Sequence, residues 1–337
     1  MVSATHTSFI AKDRSYLAIL KRDIHKIALE AGFSELKLAK LDIIVAEMTS
    51  NLVKYTDGGE LLVCVSGEKN KEYLELICLD SGPGMADPDR MMMDGMSTSK
   101  TLGAGLGSMK RLSDFFQIYS IPKWGTILLC RMFKNEAPKD TPKQVVLRSL
   151  VVAMPGEKVS GDGGAYKLTA DYFKLLVADG LGHGVEANLA TAQACAAFKI
   201  CPYHDPAEII KFIHQSIKQT RGAVGTVAVY DFKSKIWSIA GVGNISTRMV
   251  SYQNVRNIMS YNGIIGHNIP NTFQSQKISA QDFQQMVLCS DGVKNKWDIT
   301  KYPRINNCDL SILAAALYKD NARRTDDMSI VISKVLV

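Results

Sequence analysis

The sequence predicts an α+β protein of two domains, and three observations support this. The chain has 337 residues, 46% apolar and 22% charged, which is enough to bury one large core or two ordinary ones. Helical and strand periodicities of apolar residues occur in both halves. Between residues 135 and 144 this periodicity stops, and Pro138 and Pro142 stand among charged residues. We therefore expect a first domain at residues 1–134, a linker at 135–144 and a second domain at 145–337.

Composition and charge argue against several classes of protein. The net charge is +7, but the basic residues are dispersed, and Arg323-Arg324 is the one tight basic pair of the second half. We therefore expect a solvated surface and no nucleic-acid partner. No apolar stretch approaches the roughly 18 residues of a membrane span, and the first residues lack the layout of a secretory signal. The seven scattered cysteines include no CxxC pair, so we expect a reducing, cytoplasmic location without membrane contact.

The first half is expected to pack helices on a mixed sheet. Residues 14–31 carry apolar side chains at helical spacing and stop at Gly32, a common helix terminator. Ser34 is the expected N-cap of a second helix that runs to about Tyr55. Short apolar runs predict strands at 60–65, 73–79, 116–121 and 126–133, and a further helix is expected at 108–115.

In the second half strands dominate, with helices between them. The strands are expected at 145–153, 172–178, 224–231, 236–240, 286–289 and 328–332. Helices are expected at 185–199, 206–220 and 308–318. This order predicts sheets covered by helices within one domain.

Polar residues typical of a nucleotide site occur at two places in the first half. Glu47 and Asn51 stand four residues apart on the second predicted helix, so both project from one face, where they can share a magnesium ion and a hydroxyl group. Such a pair alone is more often a pair of surface residues. Asp80 ends an apolar strand, where its carboxylate can accept a hydrogen bond from an exocyclic amino group. Gly82 and Gly84 let a ligand approach the backbone there.

A third feature follows about twenty residues later, in a loop rich in hydroxyl groups and glycine. Its backbone amides, together with the start of the next helix, are suited to hold phosphate groups. A flexible surface loop is the alternative for such a segment taken alone, but the order of all three features is far less easily accidental. The candidate phosphate-binding residues are Ser97, Thr98, Gly103, Gly105 and Gly107.

Together the VAEMTSN segment with Glu47 and Asn51, the DSGPGM box and the GAGLG loop resemble the GHKL superfamily of ATP-binding proteins, over residues 1–134. Within it the segment MDGMSTSKTLGAGLGSMKRL is similar to the anti-sigma and switch serine kinases of the stressosome pathway. The resemblance implies a Bergerat-type α/β sandwich that binds ATP and Mg²⁺. No helix with a phospho-accepting histidine precedes the domain, so a sensor histidine kinase is disfavoured.

The same resemblance implies roles for individual residues. Glu47 is expected to be the general base that deprotonates a substrate Ser or Thr hydroxyl, and Asn51 is expected to hold magnesium. Asp80 is expected to recognise adenine, with support from Thr126, which follows Gly125. These roles fit phosphoryl transfer, in which positioning and charge neutralisation supply most of the acceleration.

Acidic signatures recur along the second half, and each taken singly is a turn signal. They are Asp162 in GDG, Asp179 in ADGLGHG, Asp291 in SDG and the pair Asp326-Asp327. All but the first adjoin an apolar strand, and carboxylates at neighbouring strand tips of a sheet converge. Their mutual repulsion would be relieved by divalent cations, so we expect a binuclear magnesium or manganese site that activates water for attack on a phosphate.

The order GD, DGxGHG, SDG, DDMS resembles the PPM superfamily of metal-dependent Ser/Thr phosphatases, and its SpoIIE branch in particular, over residues 145–337. The resemblance implies an αββα sandwich holding two Mn²⁺ or Mg²⁺ ions. Asp179 is expected to be the bridging, catalytic ligand, and Gly180 a ligand through its carbonyl group. Further ligands are Asp162, Asp291 and Asp326.

Taken together, the two resemblances predict a bifunctional regulator of bacterial partner switching. The first domain would phosphorylate Ser or Thr of a STAS-domain antagonist or scaffold protein, and the second domain would remove that phosphate. Two alternatives stay open. The first domain can be a nucleotide-dependent binding module for a sigma factor or another phosphatase, or one domain can be degenerate and serve only as a docking partner.

Overall fold

A computed structural model describes residues 4–11, 16–68, 70–92, 105–137, 144–251 and 254–336. The chain forms two compact units. The N-terminal unit comprises His6–Asp140 together with Ile299–Ala316, and the C-terminal unit comprises Met1–Thr5, Thr141–Asp298 and Leu317–Val337. The domain limits expected from the sequence stay a prediction, and residues 138–143 of the expected linker lie outside the described residues.

The first stretch of the N-terminal unit alternates strands and helices. Its elements are β1 (Thr7–Ala11), α1 (Tyr16–Glu30), α2 (Glu35–Tyr55), β2 (Gly59–Ser66), β3 (Tyr73–Asp80), α3 (Pro88–Met91), α4 (Gly105–Leu112), β4 (Phe115–Ile121) and β5 (Gly125–Phe133). The strands form one sheet in the order β1-β2-β3-β5-β4, and neighbouring strands are antiparallel. The predicted helices at 14–31 and from Ser34 to Tyr55 are confirmed.

Helix α2 is the element that positions the predicted base. Ser34 caps it by accepting a hydrogen bond from the amide of Lys37 at 3.4 Å. The apolar stripe, which includes Leu41, Ile44 and Met48, is buried against α1, α4 and one face of the sheet. The polar residues between these positions therefore lie toward the edge of the core.

The two faces of this sheet carry different side chains. On β3 and β5, Leu74, Leu76, Cys130 and Met132 belong to the core beneath the helices. Side chains alternate along a strand, so the residues between them point to the opposite face. There Glu75 and Arg131 are buried, each only 4% exposed. Residues 299–316 join this unit and contain the short 3₁₀ helices Ile299–Lys301 and Ile305–Asn307 and the first part of α7 (Leu310–Asn321).

The C-terminal unit contains two sheets. Its elements, apart from the end of α7, are β6 (Val145–Val152), β7 (Asp162–Leu168), β8 (Tyr172–Gly180), α5 (Gly184–Ile200), α6 (Pro206–Ser216), β9 (Ala223–Asp231), β10 (Ile236–Val242), β11 (Ser246–Val250), β12 (Val255–Ile258), β13 (Gln276–Ser279), β14 (Gln285–Cys289) and β15 (Met328–Val335). One sheet has the order β13-β10-β9-β8-β7 and the other has the order β12-β11-β14-β15-β6.

Strand β8 shows how the layers pack. Leu176 and Ala178 lie in the core shared with α5 and α6. Phe173, Leu175 and Val177 lie in a second core, shared with residues of β14 and β15 from the other sheet. Both faces of β8 are therefore buried, which explains why its sequence is almost continuously apolar up to Asp179.

No helix in the described part of the chain combines the length and the apolar character needed to cross a membrane.

Candidate nucleotide and metal sites

The carboxylate of Glu47 lies against the first turn of α4. A Cβ atom added at Gly105 would come within 2.6 Å of Glu47 Oε2. Position 105 therefore admits no side chain without moving that carboxylate. Glu47 and Asn51 are both partly exposed on α2, so they are open to a ligand beside the start of α4.

The loop after β3 is held in place by the β4–β5 hairpin. Asp80 Oδ1 accepts hydrogen bonds from the amides of Gly82, at 2.8 Å, and Thr126, at 3.2 Å. The Thr126 hydroxyl lies 2.9 Å from that of Ser120, which also accepts a hydrogen bond from the amide of Met85. The predicted adenine residues Asp80 and Thr126 are therefore brought together.

Glycine is required by the geometry at Gly84. Its φ is +68°, and an added Cβ would collide with the carbonyl group of Ile121. A Cβ at Gly82 would reach within 2.7 Å of Thr56 Cγ2, at the C-terminal end of α2. The DSGPGM loop thus lies at the end of the helix that carries Glu47 and Asn51.

An open cavity of about 750 Å³ is formed between the end of α2 and this loop. Among the predicted nucleotide residues in the described part of the chain, it shares Gly82 alone. The residues that line it are Val53, Lys54, Tyr55, Thr56, Asp57, Gly58, Ser81, Gly82 and Pro83. The cavity is therefore next to the predicted nucleotide residues and does not include Glu47.

The predicted phosphate-binding loop is described only in part. Gly105 and Gly107 belong to α4, and Gly107 is buried. Ser97, Thr98 and Gly103 lie outside the described residues. The helix was predicted to begin at residue 108 and end at 115, but α4 spans Gly105–Leu112. The two glycines, which have low helix propensity, concealed its start.

In the C-terminal unit, Asp162 and Asp179 are brought together by strand pairing. Asp162 begins β7, Asp179 lies near the end of β8, and the two residues are direct partners in the antiparallel register. Asp291 and Asp326 adjoin β14 and β15 of the other sheet. Asp291 accepts a hydrogen bond from Asn244 Nδ2 at 2.8 Å, and Asp326 accepts one from the amide of Asp327 at 2.8 Å.

The carboxyl group of Asp162 is buried and only partly satisfied. Its Oδ2 accepts a hydrogen bond from the hydroxyl of Ser290 at 2.5 Å. Its Oδ1 is buried and has no hydrogen-bond partner among the described residues. Burial of such an oxygen costs free energy unless another group pairs with it. A divalent cation is a group of the right charge, and oxygen donors of this kind favour Mg²⁺ or Mn²⁺.

Electrostatics link all four predicted carboxylate ligands. Burial raises the pKa of Asp179 far above its usual range, and the nearby carboxylates of Asp162, Asp291 and Asp326 raise it further. Burial likewise raises the pKa of Asp162. In the described part of the chain, however, no three His, Cys, Asp or Glu side chains already form a group arranged to hold a metal ion. The donor set fits a cation by charge and chemistry, while its side chains are not arranged around a common metal position in this structure.

Asp327 differs from its neighbour Asp326. Its two oxygens accept hydrogen bonds from the amides of Met154, at 2.8 Å, and Gly161, at 2.7 Å. It therefore fastens the segment that leads into Asp162. Gly180 ends β8, and its backbone amide donates to the carbonyl oxygen of Gly161 at 3.2 Å.

Three residues in this region received no role from the sequence. Ser290 donates a hydrogen bond to Asp162, and Asn244 donates one to Asp291. Both residues lie in motifs of the sequence, SDG and GVGN, but neither was given a role there. Glu157 accepts a hydrogen bond at 2.7 Å from Nδ1 of His183, which directly precedes α5 and whose side chain is 52% exposed. The available signal for Ser290 was its place directly before the predicted ligand Asp291, and that for Asn244 was the GVGN motif, while Glu157 had none.

Comparisons with known proteins identify both parts of the chain. Residues 10–131 match the profile of the histidine kinase-like ATPase domain, and residues 169–336 match that of stage II sporulation protein E (SpoIIE). The serine/threonine-protein kinase RsbT of Bacillus subtilis (strain 168) is 36% identical over 100 residues, which is 30% of this chain and 75% of RsbT. By its N-terminal part, the chain belongs to the RsbT family. The predicted resemblance to that kinase family is confirmed.

Solved structures add to the assignment of this RsbT-family chain. A chain from the bacterial stressosome, described as a modular system adapted to control secondary messenger signalling, matches with a TM-score of 0.53 and 25% identity. The match covers 57% of this chain and all of that one. RsbX in complex with magnesium matches with a TM-score of 0.51 over 58% of this chain and 98% of RsbX. Its identity is 17%, so this likeness shows the fold alone.

The predicted fold class is therefore confirmed. The RsbT-family chain has a histidine kinase-like ATPase domain followed by a SpoIIE-type domain with the fold of RsbX. It is an enzyme with a Ser/Thr phosphatase domain and a kinase-type domain, the architecture of a partner-switching regulator. The residues assigned to the two sites stay predictions.

Proposed function

We propose that the chain is a bifunctional regulator that phosphorylates Ser or Thr of a STAS-domain protein and removes the same phosphate. The observation that supports the proposal is that one chain contains both the expected general base and the expected metal ligands. Glu47 lies against α4, and Asp179 lies near three other aspartates. The RsbT and stressosome relatives support a partner-switching substrate.

In the kinase-type site, ATP with Mg²⁺ is the phosphoryl donor, and the chain's own groups orient the reactants. Asp80 is held by two backbone amides and would accept a hydrogen bond from the adenine amino group. Glu47 is the general base and takes the proton of the substrate hydroxyl, with Asn51 one turn further along the helix as the magnesium ligand. The sequence leaves room for this arrangement because residue 105 has no side chain.

In the phosphatase-type site, Asp162, Asp179, Asp291, Asp326 and the carbonyl group of Gly180 would hold Mg²⁺ or Mn²⁺. A bound divalent cation would lower the pKa of water and neutralise the phosphate. The chain supplies the geometry. Strand pairing fixes Asp162 beside Asp179, and Ser290 holds the buried carboxylate of Asp162. No Ser-His-Asp or Cys-His pattern in the sequence suggests a covalent nucleophile.

The test uses the full chain, γ-labelled ATP and purified STAS-domain proteins. We expect wild type to label a STAS protein transiently, Glu47→Gln to abolish labelling while ATP binding persists, and Asp179→Asn to prolong the label. Glu35→Gln, at an exposed position of the same helix, and Asp171→Asn, at an exposed position before β8, serve as controls and should behave as wild type.

Absence of labelling in wild type with every STAS protein would refute the kinase half of the proposal. If that chain nevertheless bound a sigma factor or a second phosphatase only in the presence of ATP, the binding-module alternative would replace it. Labelled STAS protein that keeps its phosphate equally long with wild type and Asp179→Asn would refute the phosphatase half.

A further inference from the structure

Residues 299–316 are built into the N-terminal unit although they lie within the span matched by SpoIIE. They lie in sequence between Asp291 and Asp326, the two predicted ligands that come from β14 and β15. The chain therefore leaves the C-terminal unit after one ligand loop and returns to it before the next.

A buried guanidinium group anchors this segment. Arg131 donates to both carboxylate oxygens of Asp309, from Nη1 at 2.9 Å and from Nη2 at 2.8 Å. Its Nε donates to Glu75 Oε2 at 2.6 Å, and Nη2 also donates to the hydroxyl of Ser311 at 2.8 Å. The ring of Phe115 lies 4.9 Å from the guanidinium carbon. A planar group that is held on both edges and stacked on a ring has one orientation.

Asp309 connects the buried guanidinium group to the start of α7. Its Oδ1 accepts a hydrogen bond from the amide of Ser311 at 2.9 Å, and its backbone carbonyl accepts one from the amide of Ile312 at 2.9 Å. Asp309 therefore caps the helix. Its own amide donates to the side-chain oxygen of Gln117 at 2.8 Å. Residues 310–318 of this helix are all buried.

The other end of α7 is joined to the ligand loops. The amide of Lys294 donates to the carbonyl of Asn321 at 2.9 Å, and the amide of Arg323 donates to that of Gly292 at 2.8 Å. These bonds tie the end of α7 to the residues that follow Asp291. Asp326 comes five residues after α7 ends.

We propose that Arg131 and Asp309 are positioning residues for the phosphatase-type site. They fix the start of α7, and α7 in turn fixes the loops that carry Asp291 and Asp326. The proposal rests on the proposed metal-dependent phosphatase function. It gives a buried arginine of β5 a part in holding the loops of the site that removes phosphate.

The experiment compares Asp309→Asn with Asp205→Asn in the full chain. Asp205 also caps a helix, α6, through Oδ1, which accepts from the amide of Ala207 at 2.9 Å, but no basic partner of its side chain is present among the described residues. Asn caps a helix nearly as well as Asp. Both substitutions therefore keep the cap, and Asp309→Asn alone removes a buried ion pair. Arg131→Lys, which cannot make the two-edged contact, serves as a second variant.

Hydrogen exchange of residues 322–329, Mn²⁺ binding and phosphatase kinetics are measured. For Asp309→Asn and Arg131→Lys we expect faster exchange in that segment, Mn²⁺ affinity about 10-fold weaker and a lower kcat at saturating Mn²⁺ with KM within about 2-fold, while an ATP analogue still binds. Asp205→Asn should match wild type in all of these.

Unchanged exchange and unchanged Mn²⁺ affinity in both Arg131→Lys and Asp309→Asn would overturn the proposal. Failure of the proposed function has a different signature, because wild type itself would then bind no Mn²⁺ and release no phosphate. Even if wild type bound no Mn²⁺, hydrogen exchange would still test whether Arg131 and Asp309 fix the loop that carries Asp326. Equal exchange rates in wild type and in all variants would again overturn the positioning role.

Discussion

Replacing Glu75 by Gln should destabilise the N-terminal unit at neutral pH and have progressively less effect in acid. Glu75 lies on the sheet face opposite the helices, where it accepts hydrogen bonds from Arg131 Nε and from the hydroxyl of Ser311. Burial alone would raise the pKa of this carboxyl group. The guanidinium of Arg131, assisted by His6, outweighs burial and lowers the pKa of Glu75 from its ordinary value of 4.5 to about 2.

The size of the effect follows from this difference. A carboxyl group whose pKa is lower in the folded chain contributes stability above its unfolded pKa and loses it as the pH falls toward the folded value. At about 1.4 kcal/mol for each pKa unit, the interval from 4.5 to about 2 corresponds to about 3 kcal/mol. This contribution is complete above about pH 5 and disappears near pH 2.

The assay is urea unfolding of the full chain between pH 7 and pH 2.5. Trp124 fluorescence reports on the N-terminal unit when Trp237 and Trp297 are replaced by Phe. Glu30→Gln is the control, because Glu30 pairs with Lys26 at 3.7 Å on the surface, and such exposed pairs contribute less than about 1 kcal/mol. The reasoning fails if Glu75→Gln costs as much at pH 2.5 as at pH 7, or no more than the control does.

Two further predictions concern the sites directly. Gly105→Ala should leave thermal stability within about 1 kcal/mol of wild type, since alanine favours a helix. It should also slow phosphoryl transfer at least about 10-fold, because the added methyl group displaces Glu47. Lys110→Ala, on the same helix, is the control, and equal transfer rates in the two variants would contradict the prediction. Asp179→Asn should raise the melting temperature of the metal-free chain, because it removes one of four mutually repelling carboxylates, and should abolish stabilisation by Mn²⁺. A lower melting temperature with full Mn²⁺ stabilisation would argue against a shared acidic site.

Local sequence patterns were sufficient to predict most of the helices and strands. The cap at Ser34 and the stripe through Leu41, Ile44 and Met48 are short-range signals, and they defined α2 within a residue or two. Strand β1 was missed because it has only five residues, and its apolar part is too short to stand out. Strand β7 was missed because DGGAYKL carries two glycines and a lysine, which are depleted in strands, and its place is fixed by pairing with β8.

Site prediction depended on a different kind of information. The motifs could indicate that Asp162 and Asp179 belong to one site, but their register and the unpaired oxygen of Asp162 follow from tertiary structure. The contact between Arg131 and Asp309 joins residues 178 positions apart. Nothing near either residue in the sequence signals it, since buried ion pairs follow no local periodicity. Reasoning from sequence therefore missed this long-range ion pair.

The placement of residues 299–316 bears on how such a protein can arise or be dissected. A gene cut at the junction near residue 144 would yield one product with Arg131 uncovered and its charge unmatched by Asp309, and a second product with a loose, apolar helix start. Recombination that replaces either half by a homologous sequence would therefore have to keep the arginine in one half and the aspartate in the other. Domain exchange is thus more constrained in this chain than in proteins whose domains fold independently.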